Sequence, residues 1–389
     1  MVLKNEKVLI SGGGIAGCTL AYFLYKYGFN PVVLDDSPEF KRRGYMLALN
    51  AQIGQKVAEK MGILEQLKQF EVPITNNVMY DIWGKPLIKF SLDHKTLNER
   101  VGLMLNRADL HTTLYNSIKN DVEFQMGQEI TAINSAENGL EVTLNNKKKE
   151  TYDLVIGADG IHSKTRELTF GKGFNRHMGY AYFAFMTSNR DIAKQLGEKD
   201  LKIVRGDGFV IAYLRLKNDE VGAYVFHKEK RLEHVSTSER RDYMLKKYGK
   251  YDRILQSILQ GMKPNEYIFH DGFIQIVMPT WYKNRVCLIG DAAFCPTPAS
   301  GVGASMAMAA SYIVAKNLSE NEDYDKAFLK YENYMKPYIN KAQSSASQML
   351  LLAAGGSIIS YEFTNFLLRL IPGDLLGRLH SHAIDMPLP

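Results

Sequence analysis

Apolar positions along this chain follow two periods, and the change from one to the other divides it. Residues 7–36, KVLISGGGIAGCTLAYFLYKYGFNPVVLDD, begin with a short continuous apolar run, pass through glycines into a longer apolar stretch, and end in a second short run at Asp35. That order predicts strand, helix, strand. Ile53, Val57, Met61 and Leu64 then recur at helical spacing, with Gly62 suited to a helix end. Leu110, Leu114 and Ile118 form another helical stripe behind Asn106, a candidate N-cap with Asp109 three residues on. From 179 to 229 the period becomes two: GYAYFAFMTS, DLKIVRGDGFVIAYLRL and EVGAYVFHKE alternate β-branched and aromatic residues between turn residues, and predict antiparallel strands. Residues 349–361 are apolar but too short to span a bilayer, with Glu362 and Arg369 close behind. They predict a helix packed back over the mouth of a substrate pocket, with peripheral membrane contact as the alternative.

Composition narrows the class. A chain of 389 residues, 46% hydrophobic and 23% charged, can bury a large core and divide into two cooperating domains. The excess of 48 basic over 42 acidic residues gives a net charge of +6, spread without a basic stripe, so nucleic acid is not an expected partner. The tightest basic run, NNKKKE, reads as a hairpin turn. Cys18, Cys287 and Cys295 are odd in number and lie among apolar or small residues, which predicts neither disulfides nor a metal site and fits a reducing compartment. The amino-terminal residues enter a strand at once, leaving no room for a signal peptide, so a cytoplasmic location is expected.

The chemistry concentrates in three short stretches. Gly12, Gly14 and Gly17 have G-x-G-x-x-G spacing between a predicted strand and helix. The first glycine permits the tight turn, the second lets backbone approach a pyrophosphate, and the third lets helix and strand pack closely. The phosphates then meet the helix N-terminus. Asp35, at the end of the second strand, is placed to accept both hydroxyls of an adenosine ribose. This motif alone leaves NAD, NADP and FAD open. Arg107, in the first turn of its helix, suits a cofactor phosphate or ribose, or else pairs at the surface with Asp109. The second stretch, YDLVIGADGIHSKTREL, runs an apolar strand into Asp159-Gly160, followed by Ser163 and Arg166. The third, RVCLIGDAAFCPTPASGVGASMA, places Asp291 directly after an apolar run and then offers mostly small residues and prolines. Such a stretch suits close approach of a flat ring to backbone.

Taken in this order and at these separations, the three motifs resemble the class A flavoprotein monooxygenases, the p-hydroxybenzoate hydroxylase-like group, over nearly the whole chain. The resemblance implies an α/β fold: a Rossmann-like FAD-binding domain of the GR2 type, an antiparallel β-sheet substrate domain and a C-terminal helix. Residues 1–72, 97–171 and 270–335 would form the first, 73–96 and 172–269 the second, and 336–389 the C-terminal helical segment. FAD, bound noncovalently, would be held by Gly12, Gly14, Ile15, Ala16, Gly17, Asp35, Arg42, Arg107, Asp159 and Asp291. Pro298, Gly301, Val302 and Gly303 would bring backbone beneath the isoalloxazine, and the helix from about Ala304 would aim its positive end at the pyrimidine edge. The resemblance also implies NADPH or NADH as electron donor, O2 as co-substrate and a monomeric chain. Because the cofactor carries the reaction, no catalytic side chain is expected, and no HExxH or GxSxG sequence occurs.

Phe294, Val302 and Ala309-Ala310 depart from the commonest pattern of that group, where His, Gln and an acidic pair are frequent. The CPTPASGVGASMAMAASYIVA stretch and the long C-terminal extension look most like the subgroup of tetracycline-inactivating and related polyketide-modifying enzymes. An aromatic or polyketide substrate would then lie against Arg205, Phe209, Tyr213, Tyr224 and Phe226, with Arg205 or His227 meeting its enolate or carbonyl oxygens. A flavin-dependent oxidase, reductase or halogenase, or a flavin-holding protein without activity, is the alternative. The tryptophan-rich motif of tryptophan-type halogenases is missing, since Trp83 and Trp281 stand isolated.

Overall fold

A computed structural model of the chain describes residues 6–40, 44–91, 93–230, 235–263, 266–354, 361–370, 384 and 386–389. The first of its two large sheets holds β1 (Lys7–Ser11), β2 (Asn30–Asp35), β7 (Glu123–Met126), β11 (Leu154–Gly157), β17 (Tyr282–Lys283) and β18 (Val286–Leu288). They are ordered β17-β18-β11-β1-β2-β7, parallel except for the edge strand β17. Parallel strands are covered on both faces, which explains runs such as VLI and VVL with no polar alternation. Val8, Ile10, Val33 and Ile156 face a core with helices α1 (Ile15–Lys26) and α11 (Gly303–Glu320). Leu9, Val32, Leu34 and Val155 face the small antiparallel sheet of β8 (Ile130–Ala136), β9 (Gly139–Leu144) and β10 (Lys149–Tyr152). NNKKKE is the turn between β9 and β10, as expected.

Helices α2 (Gly54–Lys60) and α3 (Leu64–Lys68) divide the stripe from Ile53 to Leu64 at Gly62, which takes a left-handed φ of 73°. Helix α5 (Arg107–Asn116) starts at Asn106, whose side chain accepts from the Ala108 N–H, so the expected cap is present. The two-stranded ribbon of β3 (Met46–Leu49) and β6 (Leu103–Asn106) leads into it, while α4 (His94–Arg100) precedes β6.

The second large sheet, ordered β16-β12-β15-β14-β13-β4-β5, consists of β4 (Asn76–Asp81), β5 (Pro86–Ser91), β12 (Asn175–Ser188), β13 (Asp200–Gly206), β14 (Phe209–Arg215), β15 (Glu220–Lys228) and β16 (Ile268–Ile276). All neighbours are antiparallel except β13 and β4. Strand β16 belongs to this sheet up to Ile276, past the border at 269 drawn from sequence. On one face Phe183, Ile211, Tyr213 and Val225 pack with α7 (Arg190–Gln195), α8 (Arg240–Tyr248) and α9 (Arg253–Gly261). The other face turns toward the first sheet. Helix α6 (Lys164–Phe170) connects β11 to β12, and the short α10 (Asp291–Phe294), which follows β18, touches both α6 and β16.

At the C-terminus the apolar stretch expected to form its own helix is divided. Helix α12 (Tyr324–Ala354) takes its first part, residues 355–360 lie outside the described residues, and α13 (Tyr361–Leu370) begins at its last residue. Among the described residues no helix is long and apolar enough to cross a membrane.

In the helix-covered core Phe183 stacks with two histidines, His227 and His270. The His270 ring lies 4.2 Å from Phe183 and nearly parallel to it. Burial, helped by Arg240 and His227 and opposed by Glu229 and Asp271, lowers its pKa to about 4 from an ordinary 6.5. A histidine held neutral in the fold takes up its proton only after unfolding. Stability should therefore be complete above pH 6.5 and fall as pH drops from there toward 4, and His270→Phe should flatten that part of the profile. Urea unfolding midpoints across pH for both proteins measure the difference; parallel profiles would contradict it.

Candidate cofactor and substrate site

The glycine loop is shaped by lack of room. Gly12 takes φ 105°, and a Cβ there would lie 2.5 Å from the Ala158 carbonyl oxygen. A Cβ on Gly17 would fall 1.8 Å from the Gly12 oxygen, so α1 is seated directly on the turn. Space is open around Gly14, and α1 has no side-chain cap. Its first N–H groups are thus available to an anion, and the loop fits a diphosphate. The Asp35 carboxylate accepts from Gly13 N and from Ser37 N, both at 2.9 Å.

The second motif behaves differently from its sequence reading. Asp159 does not line the cavity. Its carboxylate accepts from the Ser163 hydroxyl and from both the N–H and the hydroxyl of Thr165, the latter two at 2.8 Å, which fastens the start of α6. A carboxylate so occupied holds its own loop, and it is the backbone beside it, Ala158 and Gly160, that reaches the cavity. Arg166, buried in the same helix, donates to Ala292 O at 2.9 Å and to Ile161 O at 2.7 Å. It thereby ties the second motif to the third.

In the third motif Gly290 has φ 58° and turns the chain into α10. Asp291 opens onto the cavity while protein surrounds it. Desolvation raises its pKa, against the Cys295 thiol and the Arg107 charge, which lower it. Thr297 takes φ 73°, rare for a β-branched residue, at the cavity wall. Gln343 of α12 holds this loop in place by donating to Ile276 O at 2.8 Å, with Phe294 O and Cys295 O slightly farther away. Neither Gln343 nor its role is marked by any motif. Helix α11 then begins at Gly303, again without a side-chain cap.

These loops and the second sheet enclose a cavity of about 500 Å³. Gly14, Ile15, Ala16, Arg107, Asp291, Pro298, Gly301 and Gly303 line one side; Tyr224 and Phe226 line the other, joined by Tyr182 and Phe273, which the sequence did not single out. Tyr45, from the loop before β3, shares a side-chain hydrogen bond with Tyr182, and burial pushes both phenols up, so both stay protonated. The Tyr224 hydroxyl donates to Met46 O at 2.9 Å. The walls are apolar with few polar groups, and flat ligands suit such walls.

Other expected residues fall elsewhere. Gly12 and Gly17 act through packing, Asp35 lies beyond the cavity at the far end of the loop, the Val302 side chain is in the core, and Arg42 is outside the described residues. Phe209 and Tyr213 do not share a wall with Tyr224 and Phe226. In the register, Phe226 is opposite Val210 and Tyr224 opposite Ala212, so the period of two sends Phe209 and Tyr213 to the helix-covered face. There Tyr213 donates to Asp252 and Phe209 packs on Tyr248 and Tyr251. His227 is on that face too, bonded to Glu229. Arg205 is on the cavity face of the sheet but not among the residues lining the cavity; α13 covers it, and its guanidinium meets the Asn365 side chain.

The FAD binding domain family matches residues 5–343. A flavin-dependent monooxygenase from an unknown prokaryotic organism is 29% identical over 353 residues, 87% of this chain and 88% of the relative. Another, from Legionella longbeachae serogroup 1 (strain NSW150), is 28% identical over 353 residues, 87% of each. Among solved structures, tetracycline destructase Tet(51) has a TM-score of 0.81 at 23% identity, covering 100% of this chain and 99% of its own. Klebsiella pneumoniae HpxO complexed with FAD and uric acid has a TM-score of 0.85 at 20% identity, covering 99% and 98%. At these identities the likeness to the solved structures is one of fold.

Replacing Arg166 by Met would leave the Ala292 and Ile161 carbonyls without their charged donor. A loss of about 3 kcal/mol is expected, from hydrogen bonds of this kind, and urea unfolding measures it; an unchanged midpoint would show that the strap contributes nothing.

Proposed function

The chain belongs to the FAD binding domain family, and on that premise we infer that it is an FAD-dependent monooxygenase acting on an aromatic or polyketide small molecule, with NADPH or NADH as electron donor. The observation that carries this reading is the cavity, with a glycine loop, Arg107 and Asp291 on one side and an aromatic wall on the other. When bound, FAD supplies the redox chemistry, accepting electrons from the nicotinamide and using O2 to place one oxygen atom on an electron-rich carbon while the other leaves as water.

The residues have separate tasks in this reading. The loop from Gly12 to Gly17 and the N-terminus of α1 receive the diphosphate, and Asp35 the ribose. Asp291 accepts a ribityl hydroxyl. Pro298, Gly301 and Gly303 give the ring a wall without side chains, and the start of α11 favours negative charge there. Tyr182, Tyr224, Phe226 and Phe273 exclude water and hold the substrate flat, while the Tyr45–Tyr182 hydroxyls meet its oxygen atoms. Arg205 lies two strands beyond Phe226, about 10 Å at ordinary strand spacing, across the small Val210. Its Nε and Nη2 have no hydrogen-bond partner among the described residues, although the guanidinium lies over the Tyr361 ring. A multi-ring enolate reaching from the ring to Arg205 would supply one, and tetracycline-like compounds have that length and chemistry. Helix α13 would close over it, held by Asn365 on Arg205, by the Tyr361 hydroxyl on Arg205 O at 2.8 Å and by Arg369 on buried Asp81 at 2.9 Å.

Four outcomes are expected. The purified protein should be yellow with FAD released on heating, and Asp291→Ala should weaken FAD retention tenfold or more, as loss of a charged hydrogen-bond partner would; full retention measured by flavin fluorescence would count against that role. Incubation with tetracycline, NADPH and air should bleach the drug's near-ultraviolet absorbance and yield a product heavier by one oxygen in the mass spectrum. If only a small monocyclic phenol is changed and stimulates NADPH oxidation, the polycyclic substrate is wrong and the monooxygenase stands. Asn365→Ala with Arg369→Ala should raise KM several-fold and uncouple NADPH oxidation from product while FAD stays bound; normal coupling would remove α13 from the closure.

A further inference from the structure

Helix α5 carries more than Arg107 toward the glycine loop. Arg107, His111 and Tyr115 stand four residues apart on one helical face. Arg107 reaches the cavity. The Nε2 of His111 lies 2.7 Å from the Gly13 carbonyl oxygen. Tyr115 stacks on Phe40 with ring centroids 4.4 Å apart, and Phe40 is 4.5 Å from the imidazole. A carbonyl only accepts, so Nε2 carries a proton. Burial and the neighbouring Arg107 lower the pKa of His111, against the Gly13 carbonyl and Asp35, which raise it.

The Gly13 peptide groups are thus held at both ends. The Gly13 N–H donates to Asp35 at 2.9 Å, and the carbonyl accepts from His111 and, at 3.0 Å, from the Cys18 thiol. Burial raises the pKa of that thiol, so it remains a donor. The unit joining Gly13 to Gly14 is planar and trans, with its C=O and N–H pointing in opposite directions. With the oxygen turned to α5, the Gly14 N–H is turned away from it, and Gly14, Ile15 and Ala16 line the cavity. Two glycines in succession have no side chain to resist a flip of this unit. A flip would turn an oxygen, in place of an N–H, toward a bound phosphate.

We propose that His111 is a positioning residue for the cofactor: by holding the Gly13 carbonyl from outside the loop, it keeps the Gly14 N–H directed at the FAD diphosphate. The proposal rests on the FAD reading above. Apo-protein of the full chain, titrated with FAD and followed by flavin fluorescence, tests it. His111→Leu should raise the Kd about tenfold, the scale of one well-formed hydrogen bond. His111→Gln, whose amide can donate to the same carbonyl, should stay within about threefold of the unaltered protein. Unfolding midpoints of the three apo-proteins, all expected well above the titration temperature, show that each is folded when FAD is added. Should His111→Leu fail to fold, His111→Asn, too short to reach, takes its place. A Leu or Asn variant that binds FAD like the unaltered protein overturns the proposal, and so does equal weakening by Gln, which would make the role one of ring packing. Failure of the unaltered apo-protein to take up FAD would instead overturn the FAD reading beneath it.

Discussion

Among the described glycines the closest approach is the seat of α1 on the Gly12 carbonyl, where no side chain fits at Gly17. Two other contacts depend on it. Ala158, at the end of β11, lies against Gly12, and Gly290, at the end of β18, would place a Cβ 3.2 Å from that of Ala16. Three neighbouring parallel strands therefore deliver their ends to one spot, each cleared by a glycine or alanine. Ligands of such sheets bind beyond the carboxyl ends of the strands, and here the cavity lies there.

Three acidic residues lie at or just past the ends of β2, β11 and β18 and look alike in the sequence, but the fold gives them different work. Asp35 shares its carboxylate between the glycine loop and Ser37. Asp159 accepts chiefly from Ser163 and Thr165 at the start of α6, with the Ser11 hydroxyl farther off at 3.5 Å, and Arg166 of α6 ties that helix to the third motif. Asp291 alone of the three lines the cavity. The difference follows from what comes next along the chain: Ser163 and Thr165 are within reach of Asp159, while only Ala292, Ala293 and Phe294, none with a side-chain donor, stand between Asp291 and Cys295.

Much of the fold was legible because parallel strands, helices and their glycine connections leave local signals. Gly12, Gly14 and Gly17, Asn106 as a cap and the run before Gly290 could all be read without tertiary knowledge. The wall of the second sheet could not. Strand β14 is buried on both faces, so its alternation of Phe209, Ile211 and Tyr213 with Val210, Ala212 and Leu214 does not say which set meets the cavity. Only pairing with β15 decides, and it favours the smaller residues. His111 gave one signal, its place four residues after Arg107, but its partner is in a loop almost a hundred positions away. Gln343 gave none. Arg205 was read as a substrate contact from its type, and its cover by α13 depends on a helix 160 positions later.

The account stands on the claim that the diphosphate of FAD sits at the start of α1 and its ring against the third motif. A crystal structure of the full chain grown with FAD tests that most directly. The account predicts diphosphate oxygens within hydrogen-bond distance of the Gly14 and Ile15 N–H groups, and the isoalloxazine in the cavity between Pro298–Gly303 and the wall of Tyr224 and Phe226. A cofactor bound elsewhere, or a ring lying outside that cavity, would contradict it.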